Sequence, residues 1–130
     1  MKLNKRIIGI GLVAVAVVGL VACARGGRGG SAADSKVRAA IVTDSAGVDD
    51  KSFNQSAWEG LQAWGKANKL EKDSGYTYFQ SNSESDFATN LSSAVDQNYN
   101  LIFGVSFRLH DAISESAKDN EKINYVIIDD

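Results

Sequence analysis

Four short apolar runs alternate with three longer segments of helical period, and this alternation limits the possible folds more than any other feature of the chain. VRAAIVT (Val37–Thr43), YTYFQ (Tyr76–Gln80), LIFGV (Leu101–Val105) and INYVIID (Ile123–Asp129) read as strands. Between the first two, NQSAWEGLQAWGKAN spaces Ala57, Trp58, Leu61 and Trp64 for one helical face. Phe87, Leu91, Ala94 and Val95 repeat that spacing in the second interval, and Leu109, Ala112, Ile113 and Ala117 repeat it in the third. Ser52 with Gln55 predicts a capping box before the first helix, and Ser83 with Asp86 predicts a cap before the second. Strands separated by helices in strict turn form a parallel sheet, and near-continuous apolar strands are buried on both faces. The fold class is therefore α/β, a Rossmann-like parallel sheet flanked by helices. Four strands with three helices leave an apolar strand poorly covered, and the sequence ends on a strand. The reading is that residues 37–130 form an α/β unit truncated from a larger one.

The first residues follow a different pattern. MKLNKR is positive, and Ile7–Ala22 is an apolar run of 16 residues, shorter than the ~20 of a spanning helix. LVAC closes it. That is the layout of a secretory leader over residues 1–22; LVAC followed by Ala24 also resembles the lipobox of bacterial lipoproteins, which implies lipid on Cys23. Residues 23–36 then form a lipidated Cys and a Gly/Ser/Ala-rich flexible tether. An uncleaved membrane anchor and an ordinary cleaved leader are the alternatives. Without the leader, 11 basic residues stand against 16 acidic ones, a formal net charge of −5. That balance argues against nucleic acid as a partner. With one Cys, no disulfide forms within the chain.

In open α/β sheets, ligands bind beyond the carboxyl ends of the strands. The stretch TDSAGVDDKSFNQSAWEG after the first strand carries the densest set of candidates. Asp44 suits either a ligand hydroxyl or an Asx-turn in its own loop. Asp49 and Asp50 precede a helix, where negative charge is favoured, so helix support is their first explanation. Phe53 is either a staple on its helix or a ring offered to a flat ligand. Asn54 has one acceptor and two donors for a polar ligand. After the later strands come Gly104, Ser106, Phe107, Arg108 and then Asp129 and Asp130. An aromatic face with Asp and Asn beside it suits a base joined to a sugar, with Asp129 a fitting acceptor for paired hydroxyls. Arg108 suits an anion or plain solvent exposure.

Catalytic readings find no support. There is no GxGxxG after the first strand, no GxxxxGK[ST] and no GxSxG. His110 has no Cys or second His to share a zinc site, and it is expected on the surface of the third helix. No cofactor, no metal and no enzymatic activity is expected.

TDSAGVDDKSFNQSAWEGLQAW resembles the signature of the BMP family, the PnrA-like nucleoside-binding lipoproteins that serve ABC transporters. LVAC, GVSFRLHDA and VIIDD resemble further blocks of that family in the same order, and the likeness is strongest to proteins of low-GC Gram-positive bacteria. The resemblance implies a type I periplasmic-binding-protein fold with two lobes, of which this chain supplies most of the first. It implies a protein that captures nucleosides, with a purine the expected base, for uptake by an ABC-transporter permease. It would be held by lipid on Cys23 at the extracytoplasmic face of the cell membrane. By position, Asp44 would contact the ligand, Phe53 would stack on the base and Asn54 would hydrogen-bond the nucleoside. Gly104, Ser106 and Phe107 would line the cleft, and Asp129 would take ribose hydroxyls. The family commonly has Gly at the positions of Ala46 and Ser106, so a need for positive φ at either would strain this chain. A receptor of the same fold for another small ligand is the alternative, followed by a nucleoside-processing enzyme.

Overall fold

The computed structural model describes residues 37–130. The expected leader, Cys23 and the tether lie outside the described residues. The elements follow in the expected alternation: β1 (Ala39–Val42), α1 (Phe53–Ala67), β2 (Tyr76–Phe79), α2 (Phe87–Asp96), β3 (Leu101–Val105), α3 (His110–Asp119) and β4 (Asn124–Ile128). Single 3-10 turns, Glu84–Asp86 and Phe107–Leu109, lead into α2 and α3. All strand pairs are parallel, in the order β2-β1-β3-β4.

The sheet is built on β1. Its residues Ala39, Ala40, Ile41 and Val42 are each at most 1% exposed, because β2 and β3 flank it and helices cover both its faces. Successive side chains point to opposite faces. Ala39 and Ile41 join Trp58 and Leu61 of α1 in one core cluster. Ala40 and Val42 join Phe87, Leu91 and Ile113 of α2 and α3 in the other. Small residues at two of the four positions let helices approach the strand closely.

Trp58 anchors α1. Its ring meets Tyr78 edge-on at 4.8 Å between centroids and Tyr76 at 5.8 Å. Such aromatic pairs add about 0.5–1.5 kcal/mol beyond the area they bury. Gly65 lets Tyr76 press against the helix backbone, since a Cβ there would overlap the tyrosine ring.

Two caps differ in how they follow the sequence. The 3-10 turn before α2 is closed as expected, with Asp86 Oδ2 accepting from the backbone N–H groups of Asn82 and Ser83. The expected box at α1 is corrected. Ser52 makes no side-chain cap bond; Asp50, two residues earlier, takes that role instead. Lys51 adopts φ 55°, and this turn brings the Asp50 carboxylate back over the first N–H groups of the helix.

The fourth strand is the thinly covered one. On the face with α2 and α3, Tyr125 and Ile127 of β4 pack, partly buried, against the core. On the α1 face, an apolar groove of about 310 Å³ remains, lined by Ala57, Gly60, Trp64, Leu101, Phe103 and Ile128. Val126 on β4 is 39% exposed. No helix among the described residues is long and apolar enough to cross a membrane.

Gly104 sits inside β3, paired with Val42 and Ile127, and a Cβ at this position would overlap the Ile113 side chain of α3. Gly104→Ala is expected to push α3 off the sheet. The expected cost is about 1–3 kcal/mol, the range for overpacking a filled core. A urea-denaturation midpoint below that of the parent protein, with an unchanged slope, checks it.

Candidate functional site

The strand order fixes where a ligand has room. From β1 the chain crosses to β2 on one side and then returns to β3 on the other. The switch point lies between β1 and β3, and crevices in open sheets form beyond the strand ends there. Two loops flank it. One runs from Thr43 to Ser52 into α1. The other is the turn at Ser106–Leu109 into α3. The end of β4, with Asp129, adjoins the second loop: Ser106 N donates to Ile128 O at 2.9 Å.

Asp44, Asp50 and Asn54 make the central hydrogen bonds of the first loop. Asp44 Oδ1 accepts from Ala46 N at 3.0 Å, which is the Asx-turn, and from Asn54 Nδ2 at 2.9 Å. No hydrogen bond from a described residue reaches Asp44 Oδ2, and the residue is half-buried. One Asp44 oxygen thus shapes its own loop, the Asx-turn reading, and the other accepts no bond from the described residues. Gly47 takes the left-handed conformation in this turn, φ 73°, and sits against Gln80. Ala46 is not in the left-handed region, so the side chain there brings no strain.

Asp50 is the hub. Its Oδ1 accepts from Ser52 N at 2.8 Å and Gln55 N at 3.0 Å; its Oδ2 accepts from Asn54 N at 3.1 Å and Asn54 Nδ2 at 2.9 Å. Burial by itself would push this carboxyl up. The backbone N–H groups of Gln55, Ser52 and Asn54, with the Asn54 amide, outweigh that and hold it below the ordinary Asp value. Helix support, the first explanation read from sequence, describes Asp50 fully. Asp49 is exposed and has no such bonds.

Asn54 is 3% exposed. Both of its amide hydrogens are engaged, one by Asp44 and one by Asp50. Its Oδ1 is buried with no hydrogen-bond partner among the described residues. Phe53, its neighbour, is 55% exposed. The ring is therefore not a staple buried on its own helix but stands at the helix mouth.

Across the switch point, Phe107 is 62% exposed. Gly104, by contrast, lies within the strand and faces α3. Ser106 is buried and has φ 110°, ψ 138°, a region nearly reserved for glycine. Its backbone is fixed at both ends, N–H to Ile128 O and C=O to Leu109 N. Its Oγ accepts from Arg108 N at 3.3 Å. The strain anticipated for one of two positions thus falls on Ser106. Asp129 also has positive φ, 64°, and is exposed. Sequence reasoning missed the partner of His110: the ring lies on the helix surface as expected, but its Nδ1 is 3.0 Å from Asp130 Oδ1. Adjacent strand-end acids and a helix-start His were visible; nothing in their spacing says they meet. Arg108 is half-exposed, 3.8 Å from Glu84. Among the described residues, no group of three or more His, Cys, Asp or Glu is placed to hold a metal ion.

Replacing Ser106 by Gly is expected to raise stability by about 1 kcal/mol, since a sparsely populated backbone conformation costs ~1–3 kcal/mol and the lost Oγ bond offsets part of the relief. Thermal unfolding of Ser106→Gly beside Ser106→Ala checks this, because only the glycine relieves the backbone.

Residues 37–130 match the Bmp family, described as ABC transporter substrate-binding protein PnrA-like. The ABC transporter nucleoside-binding protein BmpA of Lactococcus lactis subsp. cremoris is 53% identical over 130 residues, covering 98% of this chain and 37% of that protein. A CD4+ T-cell-stimulating antigen of Listeria monocytogenes is 56% identical over 92 residues, covering 70% of this chain and 26% of the antigen. Basic membrane protein D of Borreliella burgdorferi is 31% identical over 111 residues, covering 85% and 30%. The chain spans about a quarter to just over a third of the length of these relatives. A crystal structure from Peptoclostridium difficile 630, described as a lipoprotein fragment, superposes with a TM-score of 0.60 at 23% identity. It covers 71% of this chain and 72% of that one, a likeness of fold. Since the match takes in every described strand and helix, this chain belongs to the Bmp family of PnrA-like ABC transporter substrate-binding proteins.

Proposed function

We propose that this chain is most of the first lobe of a two-lobed receptor that captures a nucleoside, a purine nucleoside foremost, for uptake through an ABC-transporter permease. No bond is made or broken in this reading. The leader ends at Ala22, lipid on Cys23 holds the receptor at the extracytoplasmic face of the cell membrane, and the segment to residue 36 lets it stand off from the bilayer.

One observation carries the ligand class. Asp44 keeps an unengaged carboxylate oxygen at the switch point, and the exposed ring of Phe53 begins the helix that follows. A flat base stacks on such a ring for about 1–3 kcal/mol. A carboxylate oxygen accepts from a sugar hydroxyl, a charge-assisted bond of about twice the neutral strength. Ser106, Phe107 and Asp129 continue the wall across β3 and β4, and Gly104 keeps β3 close to α3 behind it. The nucleoside-binding name of the Lactococcus relative, at 53% identity, favours the same ligand.

One wall binds weakly. Stacking and one or two polar contacts amount to a few kcal/mol, and a Kd near 1 mM already corresponds to about −4 kcal/mol. Useful affinity requires a second surface that closes on the exposed face of the base. Isothermal calorimetry with guanosine, inosine, adenosine and uridine tests the reading. The full-length protein is expected to bind a purine nucleoside saturably, and residues 37–130 alone are expected to bind weakly or not at all. Phe53→Ala and Asp44→Ala are each expected to weaken full-length binding by about tenfold or more, on the stacking and charged hydrogen-bond magnitudes above. Absence of saturable binding to all four nucleosides overturns the proposal.

A further inference from the structure

We propose that His110 is a positioning residue: by holding Asp130 it fixes the chain beyond β4 and so aims Asp129 at the ribose hydroxyls of the ligand. This rests on the reading of Asp129 as the acceptor for those hydroxyls.

The end of β4 is held at two points, and both lie on the turn between β3 and α3. Ile128, the last paired residue of the strand, lies opposite Val105, and its carbonyl oxygen accepts from Ser106 N at 2.9 Å. Beyond Ile128, the bond that holds the chain among the described residues is the one from His110 Nδ1 to Asp130 Oδ1, at 3.0 Å. Asp129 stands between these two pins with φ 64°. Asp tolerates the left-handed region better than most residues, and the conformation turns the chain sharply at the strand end. A residue whose neighbours are held on both sides has its Cα–Cβ direction set by the backbone. Release of Asp130 frees the turn, and the extended conformation that Asp129 can then take points its carboxylate elsewhere.

The imidazole has the hydrogen this bond needs in either charge state. An ionised carboxylate only accepts, so Nδ1 carries the hydrogen, in the neutral Nδ1–H tautomer and in the imidazolium alike. The bond also divides two adjacent acids by role. Asp130 has Oδ1 committed to His110, whereas Asp129 is exposed and no hydrogen bond from a described residue reaches its carboxylate. The side chains of His110 and Asp130 are each about half exposed, and exposed pairs of this kind contribute little to stability. The consequence of the pair therefore lies in the aim of Asp129 rather than in the stability of the fold. Because both pins fall on Ser106–His110, the acid is set relative to the same turn that carries Phe107.

Calorimetry of the full-length protein with inosine and with 2′,3′-dideoxyinosine separates positioning from a merely structural role. The second ligand keeps the base and lacks both hydroxyls that Asp129 would take. The parent is expected to bind inosine the more tightly. His110→Ala and Asp130→Ala are each expected to weaken inosine binding about three- to tenfold, the range of one hydrogen bond. Each is expected to change dideoxyinosine binding by less than about twofold. His110→Asn, whose amide is attached to Cγ as Nδ1 is, is expected to keep inosine affinity within about twofold of the parent. The combined His110→Ala, Asp130→Ala protein is expected to lose no more than either single variant, since partners in one bond do not add. Unfolding midpoints without ligand are expected to stay at the parent value. Equal losses for the two ligands, undiminished inosine affinity in His110→Ala, or an Asn variant no better than the Ala one overturns the proposal. Asp129→Ala gives the same comparison with inosine alone: adding His110→Ala is expected to cost less than about twofold more, and a full further loss overturns the positioning role. A parent that binds the two ligands alike overturns the reading of Asp129, and the positioning role with it. A parent that binds neither overturns the nucleoside reading on which both rest.

Discussion

Parallel pairing of β1 between β2 and β3 is the constraint on which the rest depends. A strand of only four residues, buried on both faces, sets the sheet order and the sides on which the helices pack. Parallel strands need helical crossovers, so all their carboxyl ends fall on one side. That side collects Asp44, Ser106, Phe107 and Asp129 from segments far apart in sequence. The candidate site is a consequence of the pairing and needs no deep cavity within the chain.

The loop after β1 then converts topology into chemistry. Asp50 closes the helix start, Asn54 links it to Asp44, and the loop turns through two left-handed residues, Gly47 without a side-chain penalty and Lys51 with one. The loop after β3 behaves differently. Ser106 is pinned between Ile128 O and Leu109 N in a conformation that suits glycine. Its hydroxyl oxygen accepts one long bond from Arg108 N–H in partial return. Each loop thus holds one non-glycine residue at positive φ, Lys51 on the β1 side and the buried Ser106 on the β3 side.

The elements were legible because their periods are clean. Trp58, Leu61 and the Phe87–Leu91–Ala94 stripe are buried where helical spacing placed them, and the four apolar runs are the four strands. Strand ends lie inward of the apolar runs by a residue or two, as at Thr43 and Gln80. The cap on α1 was misplaced because Ser52 fits the capping pattern by spacing alone. The positive φ of Lys51 brings Asp50 into its place, and no local pattern reports that. Exposure separated Phe53 from a buried staple, which sequence left open. Burial of Asn54 was not visible, because an Asn at a helix start reads the same whether it faces a ligand or two carboxylates. Ser106 was half-legible: the position was marked as glycine-prone, and only the backbone angle showed that the strain falls there and not at Ala46. The His110–Asp130 pair was invisible because α3 and β4 bring it together across twenty residues.

The central claim is that the ends of β1 and β3 form one wall of a nucleoside cleft, with the Phe53 ring and the free oxygen of Asp44 facing the ligand. A crystal structure of the full-length protein with bound inosine tests it most directly. The account predicts the base stacked on Phe53, at about the 3.5–4.0 Å separation of carbon atoms in contact, with Asp44 Oδ2 within hydrogen-bond distance of a ligand hydroxyl. A nucleoside bound away from these strand ends, with Phe53 in solvent and Asp44 bonded only to Ala46 and Asn54, would contradict it.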